Sequence, residues 1–208
     1  MRRYLYLWLF VCCGLAGAGS ALAANASPRT ILVLGDSLSA AHNIPVEAGW
    51  VHLLDTRLAK MEPAWTLVNA SISGETSLSG RNRLPALLGQ YKPAVVIIEL
   101  GANDGLRGLP LAPLRDNLDA MIAASRKAGA KVLLLGIEMP VNYGPQYRDG
   151  LRAVYADAAR AGKVALLPFL LDGVAQDPSL MQDDGLHPTA PGEPRVADNV
   201  QKALQPLL

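Results

Sequence analysis

The chain has 208 residues, 50% of them hydrophobic and 18% charged, enough for one domain with a sizeable buried core. Its 19 basic and 18 acidic residues nearly cancel, which argues against a nucleic-acid partner. Both cysteines, Cys12 and Cys13, fall near the start of the chain, so the rest has neither a disulfide nor a thiol nucleophile.

Residues 1–23 read as a secretory signal peptide: Arg2 and Arg3 lead, Tyr4 to Ala18 is apolar, and Ser20-Ala21-Leu22-Ala23 offers small residues before a cut after Ala23. A membrane anchor is the competing reading, but the apolar run is short and interrupted by Gly14 and Gly17. A lipoprotein cut at Cys12 or Cys13 is poorly served by Phe10-Val11. Removal of the signal would leave residues 24–208 as a single domain carrying 17 basic and 18 acidic residues, since Arg2 and Arg3 leave with it.

From there, apolar runs alternate with segments of helical period. Thr30–Leu34 predicts a strand, and Trp50, Leu54, Leu58 and Met61 predict a helix. Trp65–Asn69 is the next strand, followed by a Ser/Gly/Thr loop and a helix through Leu84, Leu87 and Leu88. Ala94–Leu100, rich in Val and Ile, is the strongest strand signal, and Leu111, Leu114, Leu118, Met121 and Ile122 mark the helix after it. Lys131–Ile137 and Val164–Leu167 complete five strands, with helices marked by Leu151, Val154, Tyr155 and Ala158 and by Val196, Val200 and Leu204. Residues 106–113 and 140–145 read as loops. This alternation predicts an α/β fold with a five-stranded parallel sheet between helical layers, whose ligands bind beyond the carboxyl ends of the strands. Ser37, Gly74 and Asn103 each follow such an end.

Those residue types have a chemistry in common. A serine hydroxyl becomes a nucleophile only beside a base, and Ser37 equally suits a turn or helix cap when taken alone. Of the three histidines, His187 sits in a polar loop before Pro188, whereas His42 and His52 read as structural or surface residues. Asp184, three residues before His187, can orient its ring, with Asp183 as neighbouring competitor. Gly74 N–H, Ser37 N–H and the Asn103 amide are donors of the kind that stabilise a tetrahedral oxyanion. No G-x-S-x-G elbow, phosphate loop, G-x-G-x-x-G or H-E-x-x-H occurs, and three scattered histidines do not make a metal site. No metal or organic cofactor is called for.

In order, the blocks Gly35-Asp36-Ser37-Leu38-Ser39, Ser73-Gly74-Glu75-Thr76, Gly101-Ala102-Asn103-Asp104 and Asp184-Gly185-Leu186-His187 resemble the SGNH or GDSL hydrolases. The likeness is strongest to their bacterial periplasmic thioesterase/protease/lysophospholipase (arylesterase) group, and extends through Arg83–Leu88 and Pro140–Gly144. It implies a flavodoxin-like three-layer sandwich and hydrolysis of acyl esters and thioesters. It implies Ser37 as nucleophile, His187 as base, Asp184 as orienting acid, and an oxyanion hole of Ser37, Gly74 and Asn103. Glu75 and Glu193 depart from the group, where Asp and Gln are frequent.

The acyl chain needs an apolar groove, for which Leu106, Leu109, Leu111, Ile137, Met139 and Pro140 are the expected walls. The expected partner is a small acyl ester or thioester, met by a monomer in the periplasm with no stable membrane insertion. Two other functions fit less closely: a carbohydrate O-acetyl esterase of the same superfamily, and a periplasmic acyl-binding protein without turnover.

Overall fold

The computed structural model describes residues 29–208, so the expected signal peptide and its expected cut lie outside the described residues. Five short apolar runs form parallel strands: β1 Thr30–Gly35, β2 Thr66–Asn69, β3 Val95–Glu99, β4 Lys131–Leu135 and β5 Ala165–Leu167. Their order across the sheet is β2-β1-β3-β4-β5. β1 and β3 lie side by side, with Ile31 opposite Val95 and Gly35 opposite Glu99. Residues 31–34 and 95–98 are fully buried, as continuous β-branched and leucine runs must be when helices cover both faces.

The helices are α1 Trp50–Leu58, α2 Ser77–Tyr91, α3 Ala102–Leu106, α4 Leu111–Lys127, α5 Pro145–Gly162 and α6 Glu193–Leu204. The chain leaves β1 toward β2, then returns past β1 to β3. Right-handed crossovers in opposite directions put α1 and α2 on opposite faces. α1 packs against α6, while α2, α4 and α5 form the other layer, which completes the expected sandwich.

The departures are local. α1 ends at Leu58, three residues short of Met61, which is 40% exposed. α3 replaces the start of the expected loop at 106, and α4 begins at Leu111 within it; only Arg107–Pro110 connects them. The loop at 140–145 contains a single 3-10 turn, Val141–Tyr143.

The reversal of strand order between β1 and β3 opens a crevice at their carboxyl ends, the usual ligand position in such sheets. Ser37 stands two residues beyond β1 and Asn103 four beyond β3, so they flank that crevice.

Candidate active site

The turn after β1 is tight. Asp36 C=O accepts from the N–H of Ser39 at 3.3 Å and Ala40 at 3.0 Å, leaving Ser37 half-buried at the crest. Leu38 N–H donates to Asp36 Oδ1 at 3.1 Å, and the indole Nε1–H of Trp50 donates to Leu38 C=O at 3.0 Å. The nucleophile candidate is thus fixed from its own turn and from α1.

The loop carrying His187 folds back on itself. Gln182 N–H donates to His187 C=O at 2.8 Å, Thr189 N–H to Leu180 C=O at 2.8 Å, and Met181 pairs with Pro188. Inside this clasp, Asp184 Oδ1 accepts from the N–H groups of Leu186 at 2.8 Å and His187 at 3.0 Å. Asp184 Oδ2 lies 2.7 Å from His187 Nδ1, and His187 Nε2 lies 2.8 Å from Ser37 Oγ. With Nδ1–H given to the carboxylate, Nε2 is left as acceptor for the serine hydroxyl. Partial burial pushes the Asp184 carboxyl up. The hydrogen bonds from Leu186 N–H and from the His187 ring and N–H outweigh it and hold the group below its ordinary value. Asp183, the competitor, makes no hydrogen bond to the ring among the described residues, where Asp184 holds Nδ1.

On the other flank, Gly74 has φ +79°, a conformation other residues adopt at a cost. Arg107 donates to Gly74 C=O at 3.1 Å. Among the described residues, the N–H groups of Ser37 and Gly74 have no acceptor set against them. Asn103 differs: its Nδ2 donates to Asp36 Oδ2 and to Glu75 C=O, each at 3.0 Å. An oxyanion would share one of those two hydrogens.

A cleft of about 350 Å³ opens from Ser37 and His187. Leu106, Ile137, Met139 and Pro140 line it as expected. Leu109 and Leu111 do not. Leu109 is 40% exposed, its carbonyl held by the Tyr147 hydroxyl at 2.8 Å, and Leu111 lies over Gly150 of α5. The sequence read residues 106–113 as a loop with an apolar face but could not tell which way that loop turns. Phe169, Leu171 and Met181 complete the walls from the segment after β5, where no sequence signal singled them out. A larger hollow of about 830 Å³ lies at the opposite end of the strands, beside Arg29, Trp65 and Lys131, and holds none of the candidate residues.

His42, read as structural or surface, lies against the His187 ring with centroids 4.3 Å apart and a 38° tilt. Gln182 brings it there by donating to His42 C=O at 2.9 Å. His42, Asp184 and His187 place ligand-type atoms within 4.8 Å of one another, but both His187 nitrogens are already held by Ser37 and Asp184. His52 is exposed on α1.

Residues 33–193 match the GDSL-like Lipase/Acylhydrolase family. The chain belongs to that family. Esterase TesA of Pseudomonas aeruginosa is 51% identical over 187 residues, covering 90% of this chain and 93% of that protein. Thioesterase 1/protease 1/lysophospholipase L1 of Escherichia coli K12 is 43% identical over 183 residues, covering 88% and 86%. Among solved structures, the psychrotrophic esterase EstA from Pseudoalteromonas sp., in a form inhibited by monoethylphosphonate, superposes with a TM-score of 0.81 at 41% identity, covering 86% and 97%. As a GDSL-family chain this protein is a hydrolase, and the Ser37 crevice is its candidate centre.

Proposed function

We propose that the chain hydrolyses acyl esters and thioesters by two-step acyl transfer. One observation carries the reading: an unbroken hydrogen-bonded line from Ser37 Oγ through His187 to Asp184, with spans of 2.8 and 2.7 Å, at the mouth of an apolar cleft. Ser37 Oγ attacks the acyl carbon as its proton passes to His187 Nε2, and the carbonyl oxygen becomes an oxyanion. The N–H groups of Ser37 and Gly74 and the Asn103 amide stabilise that charge. Collapse breaks the bond to the leaving alcohol or thiol, which takes the proton from His187. Water then repeats the cycle on the acyl-serine, releasing the acid and restoring Ser37.

The thioesterase and lysophospholipase names of the relatives, together with a cleft walled by Leu106, Ile137, Met139 and Phe169, favour substrates with an apolar acyl chain. A sugar O-acetyl group would leave most of those walls unused. We read residues 1–23 as the signal that delivers a monomer to the periplasm. Among the described residues no helix is long and apolar enough to cross a membrane.

Ser37→Ala tests the reading. Aryl-ester and acyl-CoA cleavage should be lost while the circular dichroism spectrum is unchanged, and a fluorophosphonate should add its mass to the wild type alone. Unaltered turnover in the variant refutes the mechanism.

A further inference from the structure

Beneath the Ser37 turn, two carboxyl groups are buried together. Glu99, the last residue of β3, and Asp36, the first after β1, are both 0% exposed. Glu99 Oε2 accepts Asp36 N–H at 3.1 Å and the Ser39 hydroxyl at 2.8 Å. Space for it is made by Gly35, where an added Cβ would stand 2.8 Å from that oxygen. The second oxygen, Oε1, is buried with no donor directed at it among the described residues. Asp36, by contrast, is well served: Oδ1 takes Leu38 N–H at 3.1 Å and Oδ2 takes the Asn103 amide at 3.0 Å.

Neither group belongs to any ion pair formed among the described residues. Two unpaired charges side by side in a dry site are prohibitively costly, so the pair retains a proton. The donors decide where. Asp36, with two donors aimed at it, suits the anion, whereas Glu99 has an oxygen that is satisfied only by carrying hydrogen. With Asp36 N–H on Glu99 Oε2, the retained proton can bridge the two carboxyl groups. The electrostatics agree: burial and the Asp36 charge push Glu99 well above the carboxylate range, while burial lifts Asp36 to about 6 against its hydrogen bonds.

We infer that Glu99 is a positioning residue: a neutral acid that donates to Asp36 and, through it, holds both the Ser37 turn and the Asn103 amide in place. Asp36 is the junction. One of its oxygens fixes the backbone on the nucleophile's side and the other fixes the side chain on the oxyanion's side, so a shift of Asp36 misaligns both at once. The inference rests on the roles proposed above for Ser37 and Asn103.

A neutral acid has an isostere in glutamine, whose carbonyl would accept from Asp36 N–H and Ser39 while its NH₂ donates to Asp36. Leucine fills similar space and offers neither. The test combines infrared difference spectroscopy of wild type against Glu99→Gln at neutral pH with steady-state kinetics of Glu99→Gln and Glu99→Leu on an aryl ester. The wild type should show a protonated-carboxyl C=O band that Glu99→Gln lacks, and Glu99→Gln should keep a kcat close to that of the wild type. Glu99→Leu should lose kcat by as much as about 100-fold with KM little changed, the signature of misplaced groups rather than weakened binding. If Glu99→Leu does not fold, the band and the glutamine variant decide alone. Absence of the band, Glu99→Gln as inactive as Ser37→Ala, or a folded Glu99→Leu with full kcat would overturn the inference. Turnover persisting in Ser37→Ala would instead sink the hydrolytic mechanism and leave the infrared result standing.

Discussion

Asn103 carries the sharpest demand on a single side chain. Both of its amide hydrogens have acceptors in the resting site, Asp36 Oδ2 and Glu75 C=O, so it is aimed before substrate arrives. Preorganised donors act without reorganisation, and loss of one such side chain typically costs about 10²–10³ in kcat. Asn103→Ala should therefore lower kcat by roughly that factor while KM changes far less; a loss confined to KM would contradict the oxyanion role. Asp184→Asn tests the other arm. An amide nitrogen facing Nδ1 would favour the wrong tautomer, and a fall toward about 10⁴-fold is expected with the fold intact, read by kcat/KM and thermal melting. At this scale, legibility followed sequence context. Ser37, Asp184 and His187 stand in polar turns, where a chemical reading competes only with a capping one, and the structure brings all three together. Asp36 and Glu99 gave no such signal, because an acid at a strand end ordinarily reads as solvated. His42 meets His187 because its backbone is held both by Ser37 C=O in its own turn and by Gln182, 140 positions along the chain.

Among the elements, α1 is the least conventional. Gly49 precedes it and offers no side-chain cap. The first free N–H, that of Trp50, is taken instead by Glu193 Oε2 at 2.8 Å, reaching across from the start of α6. A carboxylate at a helix N-terminus is favourable, but this one is almost fully buried, and burial pushes Glu193 up to about 7. Glutamine would keep the acceptor and shed the charge. Glu193→Gln should thus have a urea midpoint at about pH 8 at or above that of the wild type, and a flatter pH dependence below it; a clear loss of stability would show that the charge itself is needed. The strands were legible because Val, Ile and Leu runs buried on both faces have few alternatives. The Leu106–Pro113 segment was not. α3 spans only five residues and includes a glycine, too short for helical period to register, and the outward turn of Leu109 depends on Tyr147, far along the chain.

For the whole molecule, buried acids set the pH response. Asp36 and Glu193 move from ordinary values of 3.8 and 4.5 to about 6 and about 7, and Glu99 is raised as well. Between those limits the folded chain binds more protons than the unfolded one. The stability these groups contribute is therefore complete below their ordinary values and is lost as pH rises through the raised ones. Asp184, held low, works in the opposite sense and matters only at more acidic pH. The urea midpoint should decline from about pH 5 to about pH 8, and a rise across that window would refute the assignment. Turnover should move the other way on the acid limb, because the base must be unprotonated to accept the serine proton. Stability and activity would then be greatest at different pH.

Trp50 joins these scales. Its indole is 1% exposed and bonded to the carbonyl of the residue next to Ser37, while its own backbone rests on α6. An aromatic ring so tied is a native optical gauge. Each acylation and release at the serine would tug on its hydrogen bond and alter its ultraviolet emission. Once Trp65 is replaced by phenylalanine and residues 1–23 are absent, Trp50 is the only indole left, and stopped-flow fluorescence could follow single catalytic cycles without a dye.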